Sequence, residues 1–174
     1  MKKALLIVAA AVLMSACGFM KNSTTGASSQ QTATPATSTA TTALSSGQGA
    51  GNALLNLYNQ YKADGNKYDY KNMQNALNTV TLLANCEGLK SNYKDKEYLK
   101  DFGKGMVASS LGLVTQNNVK SVTNSLVDMV KNSETVQEAK STVQEGASSA
   151  AGYANTAAQY ASAISALLSA FSTK

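Results

Sequence analysis

The stretch from Glu134 to Phe171, ETVQEAKSTVQEGASSAAGYANTAAQYASAISALLSAF, decides the fold class. Val136, Val143, Ala150, Ala157, Ile164 and Phe171 recur at heptad spacing, and Ala139, Gly146, Tyr153, Tyr160 and Leu167 form a second row three positions behind. Ala147, Ala154, Ala161 and Leu168 widen the stripe. Apolar side chains repeating with this period line up along one face of a helix, and small ones let its axis approach a neighbour closely. The pattern predicts one long Ala/Ser-rich C-terminal helix. Thr135 with Glu138 three positions on is a capping-box pattern near its start. Gly146 and Gly152 leave room for a kink.

Upstream, the same periodicity recurs in shorter runs. Leu54, Leu57, Tyr58 and Tyr61 share a face of a first helix, which Asp64-Gly65-Asn66 ends with turn chemistry. Asp69 is read as the N-cap of a second helix carrying Tyr70, Met73, Leu77, Val80 and Ala84, with Gly88 as its stop. A third helix carries Leu99, Phe102, Met106 and Leu113. Gly103, Gly105 and Gly112 interrupt it and mark either close contact with a neighbour or a break near Lys104, since helical glycine costs about 1 kcal/mol against alanine. Gln116-Asn117-Asn118 reads as a loop, and Val119, Val122, Leu126 and Val130 as a fourth helix. No strand-like alternation of useful length appears. The expected fold is all-α: a bundle of four to five helices over residues 52–174, the last one long.

Before the bundle, residues 22–51 are Ser, Thr, Ala, Gln and Gly with one proline, Pro35, and one larger apolar side chain, Leu44. So little apolar surface cannot offset the entropy of ordering, and the segment is read as a disordered linker. Composition leaves open that its threonines carry glycans. The chain opens Met1-Lys2-Lys3, continues almost wholly apolar from Ala4 to Leu13, and closes Met14-Ser15-Ala16-Cys17. A cationic start, an apolar run and small residues before a cut site describe an export signal over residues 1–16. A secretory signal with an incidental cysteine, and a retained helix from Ala4 to Met20 at the short limit for spanning, are the other readings.

Met14-Ser15-Ala16-Cys17 resembles the lipobox of bacterial lipoproteins with type II signal peptides. Met14 stands where leucine is commoner, a mild departure because the position demands an apolar side chain. The resemblance implies that Cys17 is the lipid attachment site, acylated on its thiol, and that residues 17–51 tether the domain to a membrane. One acyl chain anchors only marginally, and two or more hold firmly. By the same resemblance, Gly18 in place of an aspartate favours the outer membrane. The absence of an acidic run in Gly18-Phe19-Met20-Lys21-Asn22 favours the periplasmic face over the cell surface. Leu57-Tyr58-Asn59-Gln60-Tyr61-Lys62 and Tyr98-Leu99-Lys100-Asp101-Phe102-Gly103-Lys104-Gly105 are similar to small uncharacterised helical lipoproteins of Bacteroidota, a likeness that implies no activity and no site residues.

Composition narrows the chemistry. The 174-residue chain has no His and no Trp, and all fifteen basic residues are Lys. Without His, most Ser-His and Cys-His nucleophile designs and the commonest zinc ligand are gone. Without Arg, the bidentate fork for phosphate and guanine is gone. The net charge of +5 includes Lys2 and Lys3 of the leader, and the other lysines are interspersed with acids, so no nucleic-acid partner is expected.

Single motifs give little more. Asp64-Gly65-Asn66-Lys67-Tyr68-Asp69 misplaces the glycine of a calcium loop and lacks its closing glutamate, so it reads as a turn. Asp95, Glu97 and Asp101 alternate with Lys94, Lys96, Lys100 and Lys104, the pattern of a solvated helix face. Gly103-Lys104-Gly105 lacks the spacing of a phosphate loop. Cys86, with no His or Arg beside it to lower its pKa, reads as a small buried hydrophobe, with an intermolecular disulfide or redox role as the alternative. The tyrosines read as core edges. No catalytic, metal or cofactor residues are expected. The functional expectation is a non-enzymatic envelope lipoprotein, a structural or protein-interaction module, whose C-terminal helix packs on its own bundle or, as the alternative, on a protein partner or a second copy. The alternative is a bundle holding an apolar small molecule among Leu, Met and Tyr.

Overall fold

The computed structural model describes residues 36–145 and 150–173, and those residues are helices and turns with no strand among them. Six helices follow one another: α1 (Ala36–Ala63), α2 (Met73–Asn92), α3 (Lys96–Ser109), α4 (Val119–Val130), α5 (Thr135–Glu145) and α6 (Ala150–Ser172). The all-α bundle is as expected; the count of four to five helices and one boundary change.

The boundary change is the larger. The expected linker over residues 17–51 loses nearly its last half to α1, because Ala36 to Gly51 are helical; residues 17–35 lie outside the described residues. Ala43, Gly47 and Ala50 are buried. A β-carbon added to Gly47 would lie 2.8 Å from the carbonyl carbon of Phe102, and one on Gly51 would lie 2.8 Å from the carbonyl oxygen of Met106. One on Gly105 would lie 2.7 Å from the amide nitrogen of Gln48. The small residues therefore form a face on which the backbones of α1 and α3 touch, and Ser109 Oγ donates to Gln48 O at 2.8 Å across it. Gly47 meets Phe102 and Gly51 meets Met106, so the two helices run in the same direction. Gly103 and Gly105 mark close contact, not a break.

α1 ends where the turn chemistry places it. Gly65 and Asn66 have φ of 69° and 62°, and Asn66 N donates to Tyr61 O at 2.8 Å to close the last turn. Glycine and asparagine reach this left-handed region at least cost. Three details of the next helices are corrected. The N-cap of α2 is Asn72, whose side chain accepts from Gln74 N at 2.9 Å and Asn75 N at 3.3 Å. Asp69 instead accepts from Lys71 N and shapes the preceding turn. α2 runs past Gly88 to Asn92, because Gly88 is needed where the Tyr98 hydroxyl presses on the helix. Leu113 leaves the third helix for the loop after it, and α3 is capped by Asp95.

α2 is the axis of the bundle, packed against α1, α4, α5 and α6. The single face expected of it is wrong for that reason. Met73 is 43% exposed, while Asn75, Thr79, Leu82, Leu83, Cys86 and Leu89 are buried. A helix with neighbours on most sides buries polar positions too. Asn75 Nδ2 donates to Asp69 O at 2.9 Å, and Thr79 Oγ1 shares a 2.7 Å hydrogen bond with the Tyr68 hydroxyl.

The long final helix is two helices. Thr135 Oγ1 donates to Gln159 Oε1 at 2.9 Å, and the Ser133 and Tyr160 hydroxyls are hydrogen-bonded. In one straight helix, residues 135 and 159 would be about 36 Å apart. The chain folds back instead, and α5 and α6 both lie on α2. Val143 and Ala150 are exposed, so the heptad rows hold within α6 (Ala157, Ile164, Leu167 and Leu168 buried) and do not run through. Thr135 turns its hydroxyl to Gln159 rather than to a capping box. Gly146 lies outside the described residues. Lys140 Nζ pairs with Glu87 Oε2 at 2.6 Å and Lys90 Nζ donates to Ser133 O at 2.6 Å, fastening this hairpin to α2.

Candidate functional site

The polar motifs singled out in the sequence go to structural work. Asp95 caps α3, Glu97 lies 3.9 Å from Lys100, and Asp101 pairs with Lys104 at 2.7 Å. These carboxylates are spread over a cap and two local ion pairs and share no site. Asp64 accepts from Gln60 Nε2 at 3.0 Å, within the turn. Among the described residues no three His, Cys, Asp or Glu side chains gather as metal ligands would. Cys86 is fully buried and burial pushes its thiol pKa far up, which disfavours the thiolate. Tyr61, Tyr98 and Tyr160 are buried, Tyr58, Tyr68 and Tyr153 half-buried against the core, and Tyr93 is 41% exposed. Burial raises the pKa of the Tyr68 and Tyr98 hydroxyls. Cys17 lies outside the described residues.

What remains is surface shape. Leu54, Leu57, Leu82, Phe102 and Met106 fill the interior, and open space lies in surface grooves between helices. One groove of about 610 Å³ runs between α4 and α6, with Ser121, Ser125 and Met129 on one wall and Ala163, Ala166 and Ala170 on the other. Those three alanines are exposed, as are Ala158, Ser162 and Ser169. α6 carries no charged residue. It buries Ala157, Tyr160, Ile164, Leu167 and Leu168 against the bundle and turns small, uncharged residues outward.

A second, smaller groove of about 420 Å³ adjoins the first, sharing Asn118 and Phe171 with it. Its rim carries Leu111, 84% exposed, the largest departure from the usual placement of a leucine in this fold. Leu111 has φ 47° and is followed by Gly112 at φ 87°. A left-handed leucine is strained by about 1–2 kcal/mol, and the loop around it is tightly held. Buried Ser110 accepts from Val114 N at 2.9 Å, and Asn118 accepts from Thr115 N at 2.7 Å while donating to Leu113 O at 3.0 Å. Sequence reasoning passed over Leu111. The available signal was a leucine between Ser110 and Gly112, two turn-forming residues.

No helix among the described residues is long and apolar enough to cross a membrane. By their elements the described residues form a six-helix bundle with a central second helix. Comparison with protein-family models, with curated proteins and with solved structures finds no match to this chain.

Proposed function

We propose that this chain is a non-enzymatic lipoprotein of the bacterial envelope, held by acyl chains on Cys17, whose helical bundle is a protein-interaction module. The contact surface in this reading is the outward face of α6 with the groove beside it. One observation carries it: exposed alanines and serines along an uncharged helix, walling a groove of about 610 Å³. Exposed faces of soluble helices usually carry charge, and uncharged ones that do not are suited to burial against another protein. Small side chains let a partner helix approach closely, as α1 and α3 do within the fold.

The anchor rests on the first seventeen residues, and the placement on Gly18 and the acid-free residues after it. The outer membrane, periplasmic leaflet, is the location this reading assigns. It names no substrate, cofactor or metal.

Two measurements test it. A labelled fatty acid fed to cells is expected to enter the wild type and not Cys17→Ser; label retained by that variant overturns the anchor. Crosslinking in cells is expected to give a recurrent adduct through α6, to a partner or to a second copy, that Ala166→Lys abolishes without unfolding the domain. No recurrent adduct, or one indifferent to Ala166→Lys, overturns the interaction surface.

A further inference from the structure

A different groove, between α3 and α4, encloses about 480 Å³. Leu99, Gly103 and Val119 line it, and a β-carbon added to Gly103 would lie 3.0 Å from Val119 Cγ2, so the two helices close against each other at its base. Lysines stand around this apolar base from both sides: Lys96, Lys100 and Lys104 from α3, and Lys120 from α4. The three on α3 follow at four-residue spacing and share one face of the helix over about 12 Å.

The acids nearby leave charge over. Asp101 takes Lys104 at 2.7 Å, and Glu97 lies 3.9 Å from Lys100 with both side chains well exposed, a loose pair. Lys96 and Lys120 make no ion pair among the described residues. Lysine stems extend the apolar lining while their ammonium groups stay in water. Gln116, Thr123 and Asn124 complete the lining, and the result is a mainly apolar trough with a cationic edge.

We propose that the α3–α4 groove binds a single-chain anionic amphiphile, its acyl chain along Leu99 and Val119 and its head group held by the lysines of the two rims. The size agrees: about 480 Å³ falls in the lower part of the range for small-molecule pockets. The chemistry disfavours two other anions that meet lysines. A single-stranded nucleic acid wants aromatic faces to stack on, and the groove has none. A flat bilayer surface would meet the ammonium groups and never reach Leu99 or Val119. The inference stands apart from the anchor and from the α6 surface, and either can fail without it.

The test uses the chain from residue 17 onward with Cys17→Ser, titrated with dodecanoate below its micelle concentration and followed by amide chemical shifts. Saturable one-site binding, with shifts centred on Leu99, Gly103 and Val119, is expected. Dodecanol, the uncharged counterpart, is expected to bind more weakly. The double variant Lys100→Gln/Lys120→Gln is expected to weaken dodecanoate about fourfold, since each exposed ammonium–carboxylate contact contributes a factor of about two. Raising salt is expected to act in the same direction. Circular dichroism checks that the double variant is folded, and Lys62→Gln/Lys67→Gln, far along the chain, serves as the charge-matched control. Non-saturable binding, equal affinity for the alcohol, or equal loss in the control pair overturns the proposal. So does lysine-dependent binding of anionic vesicles or an acidic peptide when dodecanoate does not bind.

Discussion

Gly47→Ala is a substitution that helix propensity alone would favour, by about 1 kcal/mol. The packing of α1 on α3 opposes it. The new β-carbon would sit 2.8 Å from the carbonyl carbon of Phe102, where ordinary contact begins at 3.4 Å. The obstacle is backbone, which cannot rotate aside, so the helices must part by upward of 0.6 Å. Parting them loosens Phe102 and Met106 in the core, both fully buried. Overpacking of this kind costs about 1–3 kcal/mol or more, and with the carbonyl oxygen of Phe102 closer still the upper part of that range applies. The net expectation is destabilisation by about 2 kcal/mol, equivalent to a fall in Tm of roughly 6–10 °C for a domain of this size. Gly105→Ala, its neighbour across the contact, is expected to do the same, and Ser45→Ala, on the exposed side of α1, to be neutral or slightly stabilising. Urea denaturation of the three variants beside the parent measures all of this. If Gly47→Ala and Gly105→Ala both match or exceed the parent, α1 does not pack through its small residues and Ala36 to Gly51 return to being a linker.

Further perturbations address other parts of the fold. Cysteines placed at Thr135 and Gln159 are expected to be joined by a short bis-maleimide in the native state, and failure to join them would restore one continuous C-terminal helix. Leu111→Gly is expected to raise stability by about 1 kcal/mol, because glycine removes left-handed strain; a loss in thermal melting would show that the leucine side chain is held by something on its own chain. Cys86, Tyr68 and Tyr98 all have native pKa values raised by burial, from 9.0 for the thiol and 10.0 for the phenols. Each such group stabilises the fold fully below its unfolded pKa and loses that contribution as pH rises. Stability is therefore expected to be flat up to about pH 8 and to fall above pH 9, by at most about 1.4 kcal/mol per pH unit for each group; a stability that rises between pH 8 and 10 would contradict the burial of Cys86.

Much of the fold was legible because apolar periodicity reports burial directly. Leu54, Leu57 and Tyr61 in α1, and Val122, Leu126 and Val130 in α4, sit on the buried faces their spacing indicated. The misread linker has a plain cause: small residues do not announce what they touch. Gly47 and Gly51 have the composition of a linker and the i, i+4 spacing of a helix face packed on α3, and Gly49 faces Asn85 of α2. Pro35, a residue favoured at helix starts, was the start signal available. α2 misled in the opposite way. Its one-sided reading assumed solvent on the far face, and four helices occupy that space instead. The heptad spacing from Val136 to Phe171 is present in the sequence but reports burial only within each helix, so it could not reveal that Val143 and Ala150 are exposed and that the chain turns back between them. The α6 surface was legible as an uncharged Ala/Ser run; the grooves at α4–α6 and α3–α4 were not, because each is made by residues from two helices whose adjacency only the fold supplies.

A bundle wound around its second helix has a consequence for how the protein comes into being. Leu82, Leu83, Cys86 and Leu89 are buried on a helix that packs against both α1 and α6, the latter ending at Ser172. A nascent chain stopped anywhere before Ala150 leaves the middle of the molecule wet. The core is then complete only once α6 has been made, which favours folding in a single late, cooperative step.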